Sequence, residues 1–454
     1  MQEIISAISG FVWGPPTLIL IVGTGLYLTF RLGFLQFKTM PYALKLAFSP
    51  KRQDKESKGD ISHYEALSTA MAATVGTGNI VGVATAVILG GPGAVFWMWI
   101  TALVGMATKY SEALLAVKYR VTNSRGEMSG GPMYYLEKGL GQKWLGVLFA
   151  IFGSVAAFGI GNMVQSKAVS DALAGSFSIP HWVTGIVLTI LAALVILGGI
   201  KSIGKVTALL VPFMALFYII AGLIIMVMNI DIIPAALGLI FTDAFTANAV
   251  GGGILGTVIR YGVARGVFSN EAGLGSAPIA AAAAKTDYPG RQALVSMTQV
   301  LIDTIIVCSI TGITIVMANM YSSGDVAGGN LTAVSFSHFL GDIGGIMVTI
   351  AIVLFAFSTL VGWSYYGEKC FSYLFSDKAI PYYRVVFVVA IMYGAMEELS
   401  IVWGISDIMN ALMAIPNLIG LLGLSGVVVY ETKKFLKVAK EEKEQEKAKK
   451  AESA

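Results

Sequence analysis

A chain of 454 residues that is 56% hydrophobic and 13% charged is not a soluble globular domain, whose charged share is nearer ~25%. The formal net charge of +4 is spread through loops and a tail rather than gathered on one folded face, which argues against a nucleic-acid partner. Two cysteines in apolar stretches, Cys308 and Cys370, and three scattered histidines, His63, His181 and His338, provide no disulfide framework and no metal-ligand spacing.

In chain order, residues 8–30 form an apolar segment without the basic leader and small-residue cleavage site of a signal peptide, and so predict a retained span. A basic loop, 31–62, follows. Further apolar stretches lie at 64–90, 92–119, 144–173, 182–200, 206–230, 250–284, 292–320, 343–374, 382–397 and 404–430, each near or above the ~20 residues a crossing helix needs. They predict an all-α polytopic membrane protein with eleven transmembrane helices. The Lys/Glu-alternating tail, 431–454, predicts solvated surface or contact with anionic lipid. Ile233 to Ala249 and Asn330 to Leu340 are apolar but too short to cross, and predict short helices over the outer mouth.

Threading these spans with the N-terminus outside and the C-terminus cytoplasmic, across the plasma membrane, sorts the 31 Lys and Arg residues. All but Lys109, Lys167, Arg260 and Arg265 fall in cytoplasmic loops, adjoining span ends and the tail, while Glu3, Asp231, Asp243, Asp325, Asp342, Glu397 and Glu398 lie outside. A charge at the bilayer centre costs ~2.5–3.5 kcal/mol, so the four exceptions need partners or water. Lys167 has Asp171 one turn away. Lys109 has Glu112 three residues on and lies near enough to the cytoplasmic end to snorkel. Arg260 and Arg265 are expected to pair with Asp407 as an extracellular gate.

Ala72-Ala73-Thr74-Val75-Gly76-Thr77-Gly78-Asn79-Ile80 places two glycines inside a span. Each interior Gly costs about 1 kcal/mol relative to Ala in a helix, and backbone unwound in hydrocarbon is tolerated where it lines a cavity and meets a ligand. Arg265-Gly266-Val267-Phe268-Ser269-Asn270-Glu271-Ala272-Gly273-Leu274-Gly275-Ser276 predicts a second broken helix. Setting aside an extra N-terminal helix, 1–30, the spans divide into two groups of five, 63–230 and 250–430. Because five is odd, the groups are inverted across the membrane, the 5+5 inverted repeat of secondary transporters such as the bacterial leucine transporter LeuT.

Gly76-Thr77-Gly78-Asn79, the downstream Gly90-Gly91-Pro92-Gly93-Ala94-Val95-Phe96-Trp97-Met98-Trp99 and Phe268-Ser269-Asn270-Glu271-Ala272-Gly273-Leu274-Gly275 together resemble the alanine or glycine:cation symporter family over nearly the whole chain. The Phe-Trp-Met-Trp segment is the most specific of these signals. Members are similar to LeuT in fold and carry small amino acids with sodium, sometimes with protons. The resemblance implies sodium-coupled uptake of alanine or glycine, with Na+ as the coupling ion.

Residue chemistry fits the same kind of ligand. Unwinding at Gly76, Thr77 and Gly78 exposes N–H groups at the start of a half-helix, whose partial positive end suits a carboxylate. The freed carbonyls of Ala72 and Val75, with the hydroxyls of Ser358 and Thr359, offer sodium several neutral oxygens, and by resemblance to LeuT the hydroxyl pair matches its conserved sodium site. Phe268 and Trp363 are expected to enclose the ligand side chain, unless they serve ordinary packing. Gln165 is either a ligand partner or helix-to-helix glue. Asn79, Ser269 and Asn270 either touch the ligand or hold the breaks open, and Glu271 and Asp303 are intramembrane acids and therefore functional by default. Gly76 to Gly82 mimics a dinucleotide fingerprint, but its last glycine is one place late and no βαβ unit surrounds it. No nucleophile elbow, metalloprotease helix or phosphate loop is present, so an enzyme is not expected. A channel or a non-transporting amino-acid sensor of the same fold remains as an alternative.

Overall fold

The structure, a computed structural model, describes residues 2–49, 56–246, 256–321, 328–397 and 400–452. Asp325, Glu398 and the expected start of the second repeat at residue 250 lie outside the described residues. Eight helices among the described residues are long and apolar enough to cross a membrane, or nine when His63–Thr74 (α4) and Gly78–Gly90 (α5), bent by 51°, count as one broken span.

Two of the eleven expected spans are absent from that count. The helix His181–Ile196 has 16 residues, and the 250–284 stretch becomes Thr257–Asn270, a break, and a single turn at Pro278–Ala281. The expected span at 8–30 is split into α1 (Gln2–Val12) and α2 (Pro15–Arg31). Proline lacks an N–H and suits the first turn of a helix, and Pro15 opens the second piece.

Two segments read from their charge runs as loop and tail contain helices that pack in part against the rest of the chain. Residues 31–62 contain α3 (Leu35–Phe48), which buries Leu35, Gln36, Ala43, Leu46 and Ala47. The tail is part of a helix, Ser425–Glu452. Its Phe435 is 1% exposed and lies beneath the Arg291 guanidinium, 5.4 Å from the ring centre. Arg291 in turn pairs with Asp287 at 2.7 Å and with Glu442 at 2.6 Å. Lys118–Glu431 (2.5 Å) and Tyr110–Thr432 (3.0 Å) pin the same helix to the end of Gly93–Lys118 (α6). Apolar residues spaced at the helix period face inward while the charges find partners or water.

At the opposite end, the short helices Ile233–Asp243 and Gly328–Leu340 form as expected. The Phe-Trp-Met-Trp segment grips the first of them. Phe96 meets Phe241 and Phe245 at 5.6 and 5.0 Å, Trp97 donates to the Ala244 carbonyl at 3.1 Å, and Asp243 accepts from Gly93 N–H at 2.8 Å.

A capping box starts α4: Ser62 Oγ accepts from Glu65 N–H at 3.2 Å and Glu65 from Ser62 N–H at 2.8 Å. The helix stops where Val75 turns extended. Gly362, in the long helix Asp342–Phe375, allows close contact here, because a Cβ on it would stand 2.7 Å from Ala73 N. At the second break Glu271, Gly273 and Gly275 take φ of +55°, +95° and +85°.

Phe435→Ala is expected to lower stability by about 3 kcal/mol, the usual cost of emptying an aromatic core position. Thermal melting in detergent checks this, with Lys440→Ala, at an 80% exposed side chain, as the neutral control.

Candidate functional site

Between the two breaks lies a small cavity of ≈ 20 Å³. Gly76, Thr77 and Gly78 line it together with the rings of Phe268 and Trp363, the polar side chains of Gln165, Glu271 and Asn410, and Thr359. Sequence reasoning singled out all of these except Asn410, and offered Arg265 as one possible partner for Glu271, whose partners here are Ser276 and Trp363. Asn410 carries a readable signal, a polar residue in mid-span one turn beyond Asp407.

The cavity is rich in acceptors. Gln165 donates through Nε2 to the Ile160 carbonyl at 3.0 Å, and its Oε1 and the Oδ1 of Asn410 are buried without a hydrogen-bond partner among the described residues. Glu271 accepts from Ser276 Oγ at 2.5 Å and engages the Trp363 indole. A buried acceptor left unpaired costs about 1–3 kcal/mol, so these oxygens favour a ligand that brings N–H donors. On the other side the half-helix beginning at Gly78 presents the positive end of its dipole, which favours a carboxylate, although its Asn79 N–H already donates to the Gly76 carbonyl at 3.2 Å. Donors opposite acceptors in a small space suit a small zwitterion.

Beside the cavity, neutral oxygens converge. Ser358 Oγ lies 3.2 Å from the Ala72 carbonyl oxygen and 3.5 Å from that of Val75. Thr359 Oγ1 stands so close to Gly76 that any Cβ there would collide with it. These oxygens match a hard monovalent cation in kind, and among the described residues no acidic, thiol or imidazole cluster of a transition-metal site accompanies them.

Three expected ligand residues do not line the cavity. Asn79 Oδ1 accepts from Gly76 N–H at 2.9 Å, while its Nδ2 donates to Asp303 at 2.6 Å and to Ser269 Oγ at 3.1 Å. Ser269 Oγ donates to the other Asp303 oxygen at 2.8 Å. Asn270 Oδ1 accepts from Ala272 N–H at 2.9 Å, which folds the chain over within the second break. Asn79 and Ser269 thus join the breaks around Asp303, and Asn270 shapes one of them. The physical reason is that freed backbone needs partners: where a ligand does not supply them, short polar side chains do.

Glu112 also serves the backbone. It accepts from Gly273 N–H at 3.0 Å and from Asn417 at 2.7 Å, and Asn417 donates to the Gly273 carbonyl at 2.8 Å. Lys109 stands 3.9 Å from Glu112, is fully buried and does not snorkel. Lys167 pairs with Asp171 at 2.9 Å, as expected.

The expected arginine–aspartate gate is not joined. Ser9 donates to Asp407 at 2.7 Å, and no ion pair to Arg265 lies within 4 Å among the described residues. Arg265, Asp407 and Phe268 line a cavity of ≈ 140 Å³, and Arg265 and Phe268 also line one of ≈ 320 Å³ with Lys167, Asp171 and Trp403. Phe268 is the residue common to the linings of these two and the central cavity.

A sequence profile of the sodium:alanine symporter family matches residues 1–450. The sodium/alanine symporter AgcS of Methanococcus maripaludis is 60% identical over 425 residues, covering 92% of this chain and 93% of that one. The probable sodium/glutamine symporter GlnT of Bacillus subtilis is 38% identical over 424 residues, covering 92% and 88%. Among solved structures, MhsT in complex with L-phenylalanine superposes with a TM-score of 0.60 at 16% identity, covering 83% of this chain and 93% of that one, a likeness of fold.

A Cβ at Gly78 would stand 3.3 Å from the Phe268 ring, so a larger side chain there fills the cavity mouth. Gly78→Leu is expected to abolish binding of radiolabelled alanine or glycine while the protein still inserts and melts normally. Undiminished binding would remove this stretch from the site.

Proposed function

The chain belongs to the sodium:alanine symporter family, and we propose that its central cavity holds alanine or glycine while Ala72, Val75, Ser358 and Thr359 hold the sodium ion that moves with it. It is a sodium-coupled amino-acid symporter, a multi-pass all-α membrane protein consistent with a LeuT-like transporter fold, and not an enzyme. The single observation that carries the site assignment is Thr359. Its hydroxyl belongs to the oxygen cluster beside the break, and the same residue lines the cavity.

The coupling follows from that shared position. A cation drawn to the carbonyls of Ala72 and Val75 fixes the break in the shape that turns the N–H groups of Thr77 and Gly78 toward a carboxylate. Whatever free energy sodium lends to amino-acid binding, the amino acid returns to sodium. Gln165, Asn410 and Glu271 take the ammonium group, and Trp363 and Phe268 wall the side chain. Asn79, Ser269 and Asn270 act on the substrate indirectly, by holding the two breaks in register.

The wider arrangement belongs to the same proposal. Eleven spans, counting the 16-residue helix and the second broken segment, form a 5+5 inverted repeat, 63–230 and 250–430, behind the extra helix of residues 1–30. The 31–62 segment and the 431–454 tail are cytoplasmic and the N-terminus lies outside the plasma membrane. The Lys and Arg sorting supports this orientation, and the contact between the breaks, Asn79 to Ser269 at 3.1 Å, supports the pairing of the repeats. Access then alternates around the fixed centre, with Arg265 and Asp407 meeting when the outer side closes.

Uptake by purified protein in liposomes, with sodium, potassium and proton gradients imposed in turn, tests the function: only a coupled carrier concentrates its solute, which separates it from a channel or a sensor. Ser358→Ala with Thr359→Ala removes two oxygens from the cation shell without adding bulk, and sodium dependence of uptake is expected to weaken or vanish. A wild-type sodium response in the double variant would place the cation elsewhere.

Size selection is the second test. One methylene is discriminated by only ~1–3 kcal/mol through attraction, so exclusion of larger side chains needs a wall. Trp363→Ala is expected to admit leucine while weakening alanine. Equal losses for both, measured by competition on folded protein, would return Trp363 to ordinary packing.

A further inference from the structure

Both larger cavities lie on one side of the breaks, and the tail side is closed by main chain. Lys285 N–H donates to the Ile61 carbonyl at 2.7 Å, and Asp60 and Ile61 N–H donate to the Ala283 carbonyl at 2.8 and 3.2 Å, a short parallel pairing of the segment entering the first broken helix with the segment leaving the second. Gly59 sits against this pairing so closely that a Cβ would collide with the Ala284–Lys285 peptide. One side chain spans the join. Arg120, just past the end of α6, donates through Nη1 to the carbonyls of Ala282 (2.9 Å) and Ala284 (2.6 Å), and through Nη2 to the carbonyl of Lys58 (2.8 Å). It has no carboxylate within 4 Å among the described residues, although Asp60 is near enough to act on it electrostatically.

We propose that Arg120 is the latch of the cytoplasmic gate, a positioning residue whose planar fork ties the two broken helices together at three main-chain carbonyls while the site faces outward. Two of those carbonyls trail the second break and one precedes the first, so the path to the cytoplasm opens only when the fork releases one side. Arginine suits the task because a single rigid plane carries five donors, whereas the lysine ammonium is a compact point charge. The latch also explains the loop that carries it. The hairpin Val121–Thr122/Met128–Ser129 follows directly, and Asp60 accepts from Met128 N–H at 2.8 Å, so Arg120 is held from the far side of the join.

The inference rests on the transport reading above for its purpose but not for its geometry, and the test separates them. Thr77→Cys, which lines both the central and the ≈ 320 Å³ cavity, reports access from each side to a membrane-impermeant maleimide in vesicles of known orientation; the native Cys308 and Cys370 are buried. With Arg120→Gln added, labelling from the tail side is expected to rise about tenfold and labelling from the opposite side to fall. External alanine then binds about tenfold more weakly, because the outward-facing form becomes the minor one. Arg120→Lys keeps the charge but loses the fork, and is expected to shift access in the same direction by less; it also serves if Arg120→Gln does not fold. Unchanged sidedness, or labelling that rises equally from both sides with a falling melting temperature, would overturn the latch and leave Arg120 a structural residue. Absence of sodium-driven uptake by the unmutated protein in the same vesicles would sink the transport reading while the sidedness result still stood.

Discussion

Everything near the centre of this protein answers one constraint: main-chain N–H and C=O groups released by two helix breaks inside an apolar bundle must find partners. Asn79 takes the Gly76 N–H. Glu112 and Asn417 take the N–H and C=O of Gly273. Ser358 approaches the carbonyls of Ala72 and Val75. Two acceptors left unpaired among the described residues, Gln165 Oε1 and Asn410 Oδ1, belong to residues lining the central cavity, and in the proposed function the ligand completes this hydrogen-bonding inventory.

That view explains why the cavity is small and its walls are shared. Thr359 lines the central cavity and stands beside the oxygen cluster, and Phe268 lines the central cavity and two larger ones. A residue with two duties couples them without any long-range pathway, because moving it for one alters the other. The packing of Gly362 on Ala73 makes this possible by removing the side-chain thickness that would separate the hydroxyl pair from the break.

Much of this arrangement was legible in the sequence, and unevenly so. The breaks announce themselves because closely spaced glycines weaken a helix where hydrocarbon makes unwinding most costly, and the hydroxyl pair Ser358-Thr359 stands out once the family resemblance supplies its context. The two roles open to Asn79 could not be separated in the sequence because its partner Asp303, although visible as an intramembrane acid, is 224 positions away. The tail and the 31–62 segment were read less fully for a different reason: charges on one face of a helix read the same whether the other face meets water or a protein surface, and the buried sides carry Phe435 in the tail and Leu35, Ala43, Leu46 and Ala47 in α3. Lys109 looked able to snorkel because distance to the membrane surface along a helix says nothing of the neighbours packed around it.

The closure at residues 59–61 and 283–285 is written mainly in peptide groups. An ion-pair gate loosens as salt screens it and as its carboxylate titrates, but N–H to C=O bonds carry no such dependence, and the guanidinium that reinforces them stays charged across the physiological range. This closure therefore depends far less on ionic strength and acidity than an ion pair would, whereas the proposed meeting of Arg265 and Asp407 on the other face depends on both. In the gate proposed above, environmental change reaches the carrier through the face of Arg265 and Asp407, and the timing of opening at the main-chain join is set by backbone geometry.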